Sequence, residues 1–104
     1  MSPEEHALEV TKVVRKLARG LRVNLKELAE VLGVGVNWFS QRVERGTIEL
    51  VDLYRILAIL EVPPHLFFAL VDPTQESALK GRERARLAEY QELVDSAKVP
   101  GVRE

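Results

Sequence analysis

Asn24-Leu25-Lys26-Glu27-Leu28-Ala29-Glu30-Val31-Leu32-Gly33-Val34-Gly35-Val36-Asn37-Trp38-Phe39-Ser40-Gln41-Arg42-Val43-Glu44-Arg45-Gly46 is the stretch on which the fold turns. Asn24 can cap a helix, and Glu27, three residues on, can reach back to the cap nitrogen as in a capping box. Leu28, Ala29, Val31 and Leu32 give that helix an apolar face, and Gly33 ends it where a left-handed residue is wanted. Val34 and Val36 flank a second glycine, Gly35, and a second short helix is expected from near Asn37 to Gly46. At helical spacing Val36, Phe39 and Val43 share one face of it. Asn37, Trp38, Gln41 and Arg45 point the opposite way, with Arg42 on the border.

That outer face carries hydrogen-bond donors suited to base edges and phosphates. Two short helices joined by a tight glycine turn, with such a face on the second, describe a helix-turn-helix. The stretch resembles the phage-repressor-like helix-turn-helix family, the Cro and xenobiotic-response-element type of bacterial transcription factor. The resembling residues are Leu25 to Val34 and Phe39 to Gly46. Leu53 to Phe67, with its Val62-Pro63-Pro64 break, is similar to the family's fourth helix and the start of its fifth. The likeness spans about residues 8–71. One departure stands out: Gly33 to Gly46 is 14 residues, one more than the family's usual spacing. The extra residue falls within Val34-Gly35-Val36-Asn37, where it would turn the second helix or shift its start.

The resemblance implies an all-α fold, a five-helix lambda-repressor-like domain over residues 1–72 with its motif at 24–46. Beyond the part it covers, the residues themselves read as a long C-terminal helix over 73–97 and a flexible tail at 98–104. The likeness implies sequence-specific binding of double-stranded DNA, transcriptional regulation as a repressor, and action as a homodimer; the absence of cysteine suits a reducing cytoplasm, which is the expected location.

Working toward the N-terminus, Ser2-Pro3-Glu4-Glu5 supplies a cap, a first-turn proline and a capping-box glutamate. Ala7, Val10, Val14, Leu17 and Leu21 recur at steps of three and four, the stripe of an amphipathic helix ending at Gly20. Lys12, Arg15, Lys16 and Arg19 gather in its second half, where cations suit the helix dipole. In the resembling family, a basic residue near here often approaches the DNA backbone, and an acid matching Glu44 pairs with a helix-1 arginine; Arg15 and Arg19 are the candidates.

Toward the C-terminus, Leu50, Leu53, Ile56, Leu57 and Leu60 form the stripe of a fourth helix, which Val62-Pro63-Pro64 breaks. A short fifth helix runs from His65 to Val71, with Leu66, Phe67 and Leu70 inward. Asp72-Pro73-Thr74-Gln75 reads as a cap opening a sixth helix that continues to about Ala97. Its apolar positions are Leu79, Leu87, Tyr90, Leu93 and Val94, interrupted by Glu83 and Arg86. Leu87, Tyr90 and Val94 are expected either to make a dimer interface or to fold back over the chain's own core.

Composition limits the functional classes. Cysteine is absent, which excludes disulfides, thiolate metal sites and cysteine nucleophiles. No apolar run approaches the ~18 residues of a membrane span, and the acidic start lacks signal-peptide character. His6 and His65 have no evident nucleophile or ligand set beside them, so neither catalysis, a metal nor a cofactor is expected. Net charge is −1, and Lys+Arg minus Asp+Glu is 4−3 over residues 1–20, 4−4 over 21–50, 1−3 over 51–72 and 6−6 over 73–104. No segment is strongly basic, unlike most nucleic-acid domains. Any DNA-facing potential must come from arrangement.

The DNA-contact candidates are Gln41, Arg42 and Arg45. Glutamine can pair with adenine through two bonds, and arginine with guanine or phosphate. Asn37 is a cap, a base reader or both; Ser40 lies nearer the buried flank and is suited to backbone contact. Asn24 and Lys26 open the first motif helix, where free amides and a cation suit a phosphate. Trp38 either touches a thymine methyl or packs on a neighbouring element or protein partner. Neutral charge, Trp38 and the altered turn together support a second class, a protein-interaction module or antitoxin-like protein that has kept the fold.

Overall fold

The computed structural model describes residues 2–97. The chain is all-helical: α1 (Pro3–Gly20), α2 (Leu25–Leu32), α3 (Val36–Arg45), α4 (Leu50–Leu60), α5 (Pro64–Val71), a 3₁₀ helix (Pro73–Ala78) and α6 (Arg82–Ala97), with no strand among the described residues. The tail expected over 98–104 lies outside them.

Local sequence signals set the helix starts. The Ser2 backbone N–H donates to Glu5 Oε1 at 2.8 Å, and the Glu5 N–H donates to the Ser2 hydroxyl at 3.1 Å. Hydrogen bonds from the Ser2 backbone, then its side chain, hold the Glu5 carboxyl below its ordinary pKa. The same reciprocal box opens α2: Asn24 N–H to Glu27 Oε1 at 3.0 Å, Glu27 N–H to Asn24 Oδ1 at 2.8 Å. Gly33 and Gly46 end α2 and α3 in the left-handed region. Asp72 caps the 3₁₀ helix, and the Thr74 hydroxyl, then its N–H, keep the Asp72 carboxyl below its usual pKa.

Helix α1 is the central strut, packed against α3, α5 and α6, while α2 packs on α3 and α4. Val14, Leu17, Leu28, Phe39, Ile56, Leu57 and Phe67 meet in the main core, with Val94 from α6 closing it. A smaller cluster of Leu66, Ala69, Leu79 and Leu87 joins α5 to the C-terminal segment. The one buried polar side chain among the described residues, Thr11, donates its hydroxyl to the Leu8 carbonyl at 3.0 Å. Its donor is thereby satisfied within α1 itself.

Several expectations need correction. The sixth helix is not one long rod. Leu79 is extended, Gly81 has φ +51, and α6 starts only at Arg82. In a continuous helix Glu83 and Arg86 would interrupt the apolar stripe. Glu83 meets His65 Nε2 of α5 at 2.6 Å, and within α6 Arg86 donates to the Tyr90 hydroxyl at 2.9 Å. Arg84 reaches back to the carbonyls of Glu76 and Leu79 at 3.4 and 3.3 Å. Arg84 and Arg86 are thus tied to the chain itself.

Val31 and Leu50, expected in buried stripes, are 67% and 63% exposed. The eight-residue α2 packs with Leu28 and Ala29 inward, which leaves Val31 on its far side. Leu50 is the first residue of α4 and overhangs the core that Leu53 enters. Val36 is also exposed rather than sharing the burial of Phe39 and Val43.

The dimer expectation for Leu87, Tyr90 and Val94 also changes. Leu87 and Val94 are 4% and 7% exposed within the single chain, so their apolar surface is already used by α5 and α1. Tyr90 packs on the same clusters, and its hydroxyl points to the Glu61 carbonyl at 3.4 Å. The fold-back alternative describes these residues. The contact is close: a Cβ built on Gly20 would lie 3.0 Å from both Leu93 Cβ and Leu93 O. Gly20→Val is therefore expected to push α6 off α1 at a cost of about 1–3 kcal/mol. Hydrogen exchange should show α6 amides losing more protection than those of α3; equal loss would mean that α6 is not held at this contact.

Candidate nucleic-acid interface

The exposed face of α3 is built by burial of the opposite one. Phe39 and Val43 are nearly inaccessible, and they anchor the helix against α1 and α2. Once they are fixed, helical geometry turns Asn37, Trp38, Gln41 and Arg45 outward, and all four are exposed. Arg42 is half-buried on the border, and Ser40 is half-buried on the other flank. The expected outer group is therefore brought together on one helix.

Its start differs from expectation by one residue. Helix α3 begins at Val36, with Gly35 as its N-cap and no side-chain cap hydrogen bond. Asn37 is the second residue of the helix and not its cap, so its amide is left for an outside partner. The added residue in Val34-Gly35-Val36-Asn37 is accommodated because Gly35 takes an extended conformation and Val34 packs on the core.

Trp38 is 44% exposed. The Arg42 guanidinium lies 4.7 Å from its ring centroid, close enough for a cation–π contact. The pair borders a shallow depression whose other walls are Phe39, Thr47, Ile48, Glu49 and Asp52. Trp38 and Arg42 thus face the α3–α4 connection across this depression. Asp52 is shared with Arg55 at 3.4 Å.

Asn24 and Lys26 lie at the opening of α2, both exposed. The Asn24 side-chain carbonyl is occupied by the Glu27 N–H, so its amide nitrogen is the part left to donate. Glu44 and Arg15 line one groove with Leu8, Thr11, Lys12 and Val43. No ion pair joins Glu44 to Arg15, although both face the same groove. Glu44 remains an exposed negative charge on the helix that carries Arg42 and Arg45.

Two features were not singled out from sequence. Arg22 adopts φ +64, a left-handed conformation that arginine rarely takes, and lies with Arg15 and Arg19 around one cleft. The three-residue link Leu21-Arg22-Val23 before a capping asparagine was the available signal. The second feature is an apolar face on α4: Leu50, Val51 and Tyr54 are all exposed. Their i, i+1, i+4 spacing places them on one side of the helix.

Among the described residues, no cluster of three or more histidines or carboxylates is placed to hold a metal. No single helix among them is long and apolar enough to cross a membrane. Compared with known proteins, the chain matches no family model, no curated protein and no solved structure.

Proposed function

We propose that the protein is a sequence-specific double-stranded DNA-binding regulator of transcription with the lambda-repressor-like arrangement, α2 and α3 being its helix-turn-helix. The observation that carries this reading is α3 itself. It follows a capped short helix and a glycine turn, buries Phe39 and Val43, and presents Asn37, Gln41 and Arg45 on one exposed side. Helix α3 enters the major groove, where Gln41 and Arg45 read base edges or phosphate, and Asn24 and Lys26 meet the backbone. Arg42 and Trp38 act as a pair at the groove edge. The protein represses as a dimer on half-sites about 34 Å apart, through surface other than the internal Leu87 and Val94.

Fluorescence anisotropy with random-sequence duplex DNA at low and moderate salt tests the reading. Binding should weaken steeply with salt, as phosphate contacts release counterions. Because Glu44, Glu49 and Asp52 lie near the cations, non-specific affinity should be modest. On an operator selected from a random pool, Gln41→Ala and Arg45→Ala should each cost about 1–3 kcal/mol. Absence of binding at low salt would sink the proposal.

A second reading has its own observation. Val36 and Trp38 on α3, with Leu50, Val51 and Tyr54 on α4, expose large apolar side chains on neighbouring elements. Such surface suits a protein partner. Loss of DNA binding in the anisotropy assay, together with retention of a partner that Trp38→Ala and Tyr54→Ala release, would favour an interaction module or an antitoxin-like protein.

A further inference from the structure

Of the six large apolar side chains exposed among the described residues, Leu50, Val51 and Tyr54 fall within five positions of α4. Such clustering differs from the single apolar residues that any surface carries. On the opposite side of the helix Leu53, Ile56, Leu57 and Leu60 are buried in the core. Ala58 is exposed as well. Val51, Tyr54 and Ala58 follow one another at steps of three and four, so they form a seam along the helix. The small Ala58 lets a second helix come close, and Leu50 lies along one edge of the seam.

The other edge carries charge. Asp52 and Arg55 stand there 3.4 Å apart, and the Arg55 side chain is 62% exposed. An acid and a base three positions apart match an antiparallel copy of the same helix. Centred on Tyr54, that pairing sets Val51 against Ala58 of the second copy and Asp52 against its Arg55, each twice by symmetry.

Resting on the dimeric reading above, we propose that this face of α4 is where two copies of the chain meet, antiparallel across a two-fold axis. Its position relative to α3 supports the assignment. Asp52 also lines the depression that Trp38 and Arg42 border, so the charged edge of the seam is the edge nearer α3. A two-fold between antiparallel helices joins like edges. Both copies of α3 therefore come to the same side of the dimer, as two segments of one duplex require. A seam of about two turns falls short of the ~1,200–2,000 Å² that stable complexes bury. The dimer accordingly forms at micromolar and not nanomolar concentrations.

Sedimentation equilibrium of the full chain without DNA, from low micromolar to near-millimolar concentration, is the test. A monomer–dimer equilibrium is expected. Val51→Glu places two carboxylates beside the seam and should raise the dissociation constant roughly tenfold or more. Val51 is 52% exposed, so that variant should melt as the parent does at low concentration. Arg55→Glu should weaken the dimer too, and adding Asp52→Arg should restore it, because the exchange rebuilds each pair across the axis. A chain that stays monomeric throughout overturns the proposal and leaves the face to a different protein. A dimer indifferent to Val51→Glu also overturns it, as does a double variant no tighter than Arg55→Glu alone. Adding duplex to the same samples separates the interface from the DNA reading. A monomer that binds duplex defeats the interface alone; a dimer that binds none upholds the interface and defeats the DNA reading alone.

Discussion

Gly46→Ala is expected to destabilise the protein by about 2–5 kcal/mol, far more than most surface substitutions. Two effects add at this position. Gly46 ends α3 at φ +72, where an L-residue costs about 1–2 kcal/mol. A Cβ there would also lie 3.0 Å from the Leu8 nitrogen and 3.1 Å from Ala7 C and Leu8 Cα, all backbone of α1. Backbone cannot swing aside as a side-chain tip can, so α3 and α1 would have to separate, adding about 1–3 kcal/mol. Gly33 is the internal control. It has φ +78 with nothing within 4 Å of a built Cβ, so Gly33→Ala carries only the conformational cost, about 1–2 kcal/mol. Urea unfolding of both variants measures the difference. Equal losses would show that the α1–α3 approach at Gly46 is looser than described.

The second large effect separates the two aromatic neighbours on α3. Phe39 is 2% exposed and Trp38 is 44% exposed, although they are adjacent in sequence. Phe39→Ala should cost about 3–5 kcal/mol, since it removes a buried ring from the centre of the core and leaves a cavity. Trp38→Ala should cost about 1 kcal/mol, chiefly the cation–π contact with Arg42. Binding should reverse the ranking. At a temperature where both variants are folded, Trp38→Ala should weaken attachment to whichever partner α3 meets, while Phe39→Ala should change it little. Denaturant melts and a binding titration on the same two variants decide the matter. A Trp38→Ala variant as unstable as Phe39→Ala would make the indole part of the core and remove it from the interface.

These contrasts show which parts of the chain were legible before the fold was known. The caps at Ser2 and Asn24, the stops at Gly33 and Gly46, and the break at Val62-Pro63-Pro64 are all local. Each is satisfied within a few residues, so its signal survives in one dimension. The inward faces of α1 and α3 were legible for a related reason: apolar spacing repeats through each helix whatever it packs against. Gly81 was the overlooked local signal, and a helix carried through it became a rod that the structure breaks.

The sequence by itself determined that this chain is helical, where most helices begin and end, and that Asn37, Gln41 and Arg45 share an outward face. Only the tertiary structure decided what covers the helices. The fate of Leu87 and Val94 depended on whether α6 returned to α1, which rests on the small Gly20 facing Leu93 across 73 residues of chain. Exposure of Val31 and Leu50 likewise depended on how far α2 and α4 overhang the core. The meeting of Arg15, Arg19 and Arg22 around one cleft depended on the left-handed turn at Arg22. Periodicity reports which residues share a face; it takes packing between elements distant in sequence to decide whether that face meets protein, water or a ligand.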